Sequence, residues 1–99
     1  MHKKYYTDFA QHCLRFYARY SYLTDFSSSI DKDNWEACQK VLNEQTEANR
    51  EILLYIYREP DTIPDNVYQV SQKFRRPQMT IWKMMQIVER AVAEERGLV

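Results

Sequence analysis

One glycine, Gly97, serves all 99 residues. Hairpins, sandwiches and small barrels turn tightly at short intervals, and such turns draw on glycine for positive φ. A chain whose single glycine stands two residues from its end is poorly supplied for them. Three prolines and the lack of any strictly alternating apolar segment point the same way. The expected fold class is all-α. With 44% hydrophobic residues, one core can bury enough apolar surface to fold without disulfides or metal. A single domain over residues 1–99 is therefore expected.

Apolar spacing divides the chain into five helical segments. Tyr5, Phe9, Cys13, Phe16 and Tyr20 recur every three or four residues and define one stripe of a first helix. Tyr6, Tyr17 and Tyr22 lie off that stripe and are expected to be exposed. "SYLTDFSSSIDKD" is rich in residues that compete for backbone hydrogen bonds, so it reads as the longest loop. Trp35, Cys38, Val41 and Leu42 mark a second helix over about 33–44, with Asp31 or Asp33 as its cap. Thr46 can cap a third, whose "REILLYIYRE" is apolar on nearly every side and reads as the central helix. Pro60 ends it. Thr62 and Asp65 form a capping-box pattern with Pro64 in the first turn of a fourth helix over 63–74. Pro77 then interrupts the chain, and Ile81, Met84, Met85, Val88 and Val92 carry a fifth helix towards Gly97. These stripes predict a five-helix bundle in which the first two helices (residues 1–45) pack around the third and support residues 46–99. Phe9, Phe16, Trp35, Leu53, Ile56, Val70, Phe74, Ile81 and Val88 are expected to share the core.

The net charge is zero, but it is unevenly distributed. Residues 1–30 carry four basic and two acidic side chains, residues 31–66 four and nine, and residues 67–99 six and three. The last third is the cationic one. The longest apolar run, "ILLYIY" at 52–57, falls far short of the roughly eighteen residues of a membrane helix. Cys13 and Cys38 lack C-x-x-C spacing, and Met1 is followed by the polar "HKKYYTD" rather than the apolar core of a signal peptide. These features predict a cytoplasmic protein with reduced thiols and no membrane partner.

The stretch "KFRRPQMTIWKMMQ", residues 73–86, lies at the fourth corner of this chain. A helix-turn-helix needs two helices crossing over a three- or four-residue turn, a small residue where they touch, and apolar residues locking the second helix on the first. Val67, Val70 and Phe74 supply the inner face of the first helix, Ser71 the small residue and Ile81 the lock. About 100° per residue from Ile81 puts Met79, Trp82, Lys83, Gln86 and Arg90 on the outward side. Gln78, Lys83 and Gln86 have the chemistry of base-edge contacts, and Lys73, Arg75, Arg76 and Arg90 that of phosphate contacts. Thr80 and Trp82 complete the candidate DNA-binding set.

Residues 50–98, "REILLYIYREPDTIPDNVYQVSQKFRRPQMTIWKMMQIVERAVAEERGL", resemble the promoter-reading C-terminal domain of bacterial sigma factors. They are similar also to small sigma-like proteins of Gram-positive phages and mobile elements. In that pattern an "RE-I-L-x-x-x-Y" helix packs under the motif, an "E-I-A-x-x-L-G-V-S" segment bends it, and a "V-x-x-I" helix reads the DNA. Val70-Ser71 corresponds to the "I-A", Phe74 to the leucine and Ile81 to the valine. Arg75-Arg76-Pro77 replaces "G-V-S", although the glycine's position usually needs positive φ. The resemblance implies sequence-directed binding of double-stranded DNA in transcription control; the acidic residues 31–66 add RNA polymerase or a second copy of the chain as an expected further partner. Residues 1–49 show nothing of the other sigma-factor domains, so a complete initiation factor is not expected.

Other readings compete. The alternative to DNA binding is a non-enzymatic adaptor or inhibitor that keeps the helix-turn-helix shape and binds only protein. The aromatic first helix, with Lys3, Lys4, Arg15 and Arg19, could stack single-stranded nucleic acid, but its regular spacing reads first as core. His12 and Cys13 with His2 and Cys38 do not make a metal set, because adjacent helical residues diverge by about 100° and none has a ligand at i+3 or i+4. No cofactor and no catalytic residue is expected, since no oxyanion-stabilising loop or flanking base accompanies the Cys-His pair. The acidic middle reads as a solvated face or as a surface for a basic partner.

Overall fold

A computed structural model of the chain describes residues 4–22 and 25–99. Among these there are five helices and no strand: α1 (Thr7–Arg19), α2 (Ser29–Asn43), α3 (Glu47–Arg58), α4 (Ile63–Phe74) and α5 (Gln78–Glu95). The predicted caps at α3 and α4 form. Thr46 accepts from the Asn49 amide at 3.2 Å and Thr62 from the Asp65 amide at 3.3 Å, each satisfying one of the first-turn donors. Pro64 sits in the first turn of α4, and Gly97 ends α5 with φ 75°.

The start of α2 differs from expectation. Ser28, not Asp31 or Asp33, caps it, accepting from the Asp31 amide at 3.1 Å, so the helix begins at Ser29. The extended φ and ψ of Ser28 (−151° and 160°) give its hydroxyl the reach a cap needs. Asp31 instead accepts a bond from Ser27 at 2.8 Å. Two residues of the predicted loop, Leu23 and Thr24, lie outside the described residues.

One core joins all five helices, built from Leu14 of α1, Leu42 of α2, Leu53 and Ile56 of α3, Val67 and Val70 of α4, and Ile81 and Val88 of α5. The radius of gyration, 12.9 Å, is that of a compact unit of this length, for which about 13 Å is expected. Layering departs from the predicted arrangement around α3. α1 packs on α2, α3 and α5, whereas the main contacts of α2 are with α1 and α5. α5 therefore closes the bundle against α1, α2 and α4. A polar latch seals the α2–α5 seam, with Lys40 on Glu95 at 2.8 Å and Arg96 on Asn34 at 2.6 Å.

The buried face of α1 is also rotated from the predicted one. Tyr6, Ala10, Cys13, Leu14 and Tyr17 are buried, while Tyr5 is 78% and Tyr20 43% exposed and Phe9 and Phe16 are half-buried. Ala10, Cys13, Leu14 and Tyr17 join the core shared by all five helices, and Phe9 packs against it from the side. Tyr6 and Tyr17, expected outside, are inside. Tyr22 is exposed as expected. Two rings cluster with Trp35: Tyr17 lies 5.2 Å and Phe26 5.5 Å from it between centroids, and its indole N–H donates to the Tyr20 carbonyl.

Candidate nucleic-acid interface

α4 and α5 meet across three residues, Arg75, Arg76 and Pro77. Arg75 takes φ 53° and ψ 46°, a left-handed conformation that glycine adopts freely and other residues only at a cost. The amides of Arg75 and Arg76 both donate to the Ser71 carbonyl, the latter at 3.1 Å, which closes the end of α4. Pro77, extended at φ −60° and ψ 139°, then starts α5 without a side-chain cap. Arginine thus holds a backbone geometry that usually calls for glycine.

Behind the corner, Val67, Val70 and Ile81 are fully buried and Ser71 is 7% exposed, with its hydroxyl donating to the Tyr68 carbonyl. Phe74 is half-buried against the core. Asn66 was not anticipated as a core residue. Its amide donates to the carbonyls of Ile56, Glu59 and Asp61 at 2.8, 3.0 and 3.2 Å, tying the end of α3 to α4. The only hint in the sequence is its i+3 spacing from Ile63 within an apolar stripe.

On the outside, Lys73, Arg75, Gln78, Thr80, Lys83, Gln86 and Arg90 are exposed, and Arg76 and Trp82 are half-buried. Several are already engaged. The Lys73 ammonium sits 5.0 Å from the Tyr55 ring centroid, a cation–π contact that fixes it beside α3. Arg76 donates to Asn49 at 3.3 Å and braces the corner on the start of α3. Trp82 packs against the core. Arg90 pairs with Glu94 at 3.0 Å, and this bond raises its already high pKa. Arg75 and Lys83 are exposed cations at the corner and on the outward side of α5.

Glu89 is turned inward. It is 5% exposed, and its Oε2 accepts from the Tyr57 hydroxyl at 2.6 Å and from Gln11 at 3.1 Å. The helical wheel that identifies the outward residues would have found it, since Glu89 lies about 80° from Ile81 and on the buried side. The same wheel carries Ile87, absent from the predicted set, outward: it is 67% exposed, close to the 70% of Met79.

Residues proposed for other roles are held elsewhere. Arg15 donates to the carbonyls of Glu59 and Asp61 at 3.1 and 3.0 Å, and Arg19 to that of Arg58 at 3.2 Å, so both cap the end of α3. Cys13 and Cys38 are buried thiols. No group of three or more His, Cys, Asp or Glu able to hold a metal occurs among the described residues, and no helix there is long and apolar enough to cross a membrane. His2 and Lys3 lie outside the described residues.

No protein-family model matches this chain, and neither a curated protein nor a solved structure matches it.

Proposed function

We propose that the chain binds double-stranded DNA through a helix-turn-helix made of α4, residues 75–77 and α5, and acts in transcription control as a regulator or sigma-like factor. The observation that carries this reading is the left-handed Arg75. A non-glycine residue in that conformation keeps a tight three-residue corner between the helices, and it does so with an exposed cation at the corner itself. The inward turn of Glu89 supports the reading further, because it removes a carboxylate from the side of α5 that would face phosphates.

Duplex DNA is bound chiefly through its phosphates, so the test is a fluorescence-anisotropy titration of a random-sequence duplex over a range of salt. Arg75→Ala should weaken every duplex and lower the salt slope by roughly one unit. Gln86→Ala should cost about 1–3 kcal/mol on a selected site and little elsewhere. Binding at low salt no tighter than that of a neutral control protein overturns the proposal. The second reading, a protein-interaction module, is favoured by the exposed Met79 and Ile87 and would then stand.

A further inference from the structure

We infer that Met79 and Ile87 read the C5-methyl groups of thymine, so that the duplex selected by this chain carries A·T pairs where α5 meets the groove. The inference rests on the duplex-binding reading and extends it to a base class. Both side chains are large, apolar and mostly in solvent. With Lys83 they fall at i, i+4 and i+8, a single row along the side of α5 opposite the buried Ile81, Met85, Val88 and Val92.

The surroundings of this row suit a polyanion. Lys83 lies within it, and the three carboxylates of α5 are engaged, Glu89 with Tyr57 and Gln11, Glu94 with Arg90 and Glu95 with Lys40. The thymine methyl is the apolar feature by which the major groove distinguishes a base pair. Glutamine can pair bidentately with adenine, so Gln86, next to the row on the helical wheel, favours the same A·T pair. Eight residues of helix span about 12 Å, or roughly three to four base-pair steps. The two methyl contacts should therefore be separated by that interval.

The test starts from a duplex selected out of a random thymidine-containing pool. Each thymine is then replaced in turn by deoxyuridine, which lacks only the methyl. Replacement at two positions three to four base pairs apart should weaken binding about fourfold each, the effect of removing one buried carbon. Ile87→Ala should abolish the sensitivity at one position and Met79→Ala at the other. Thermal unfolding of each variant, followed by circular dichroism, establishes that it is folded. Selection of a duplex that binds equally well with thymine or deoxyuridine at every position overturns the inference and leaves the duplex-binding reading intact. Absence of any salt-dependent duplex binding overturns both.

Discussion

The Tyr57 hydroxyl donates to Glu89 across 2.6 Å in the interior, joining α3 to α5 at a point where both side chains are withdrawn from water. A buried carboxylate is tolerated only when its oxygens are hydrogen-bonded, and Gln11 of α1 donates to the same oxygen. Three helices thus converge on one side chain. Tyr57→Phe removes the donor and keeps the ring, so it should destabilise the fold by about 1.5–3 kcal/mol, the range for a hydrogen bond to a charged group. Urea unfolding would reveal this, and an unchanged midpoint would contradict it.

Arg75→Gly should separate stability from binding. Relief of the left-handed conformation favours the folded state, while the added freedom of glycine in the unfolded chain offsets part of the gain. The expected net effect is a stabilisation of about 0.5–1 kcal/mol, accompanied by weaker duplex binding through the lost cation. A fall in stability would mean that the Arg75 side chain, rather than the backbone geometry, holds the corner.

Truncation along the two apolar faces should give unequal costs. Leu53 is fully buried, and Leu53→Ala should cost on the order of 2–5 kcal/mol. Phe16 is half-buried, with its ring 5.3 Å from that of Tyr20, so Phe16→Ala should cost only about 1–2 kcal/mol. Equal losses in thermal unfolding would restore Phe16 to the centre of the core.

Alkaline pH should weaken the fold. Burial pushes the Cys13 thiol up from 9.0 to about 11 and the Cys38 thiol higher still. Burial, followed by the proximity of Glu89, holds the Tyr57 hydroxyl well above its usual range. In each case the folded state keeps a proton that the unfolded chain releases. Their contribution to stability is therefore complete below about pH 9, the ordinary thiol value, and is lost as pH rises beyond it. Urea midpoints should be level from pH 7 to 8 on account of these groups and fall between pH 9 and 11. Thiol reagents at pH 8 should label neither cysteine before unfolding.

Where helices begin and end was largely readable from local chemistry. Thr46 and Thr62 act within three residues of themselves, and Pro64 and Gly97 through their own backbone preferences, so neighbouring residues suffice to predict them. Ser28 was hidden among three serines and two aspartates, any of which can cap. Of the site residues that helical phase from Ile81 turns outward, Lys83, Gln86 and Arg90 are exposed and Trp82 is half-buried, because phase alone sets direction and not the packing of a large ring.

Which partner each side chain takes was decided by tertiary structure. Five helices, no strand among the described residues and the three-residue corner follow from apolar period, caps and the lone glycine, all properties of adjacent residues. The rotation of α1 towards Ala10 and Cys13, the inward turn of Glu89 onto Tyr57 and the commitment of Arg15 to the end of α3 do not. Each depends on a helix many residues away, brought within reach only when the core closes. Packing distance and the burial of a polar atom are properties of the assembled bundle, and a local pattern carries no record of them.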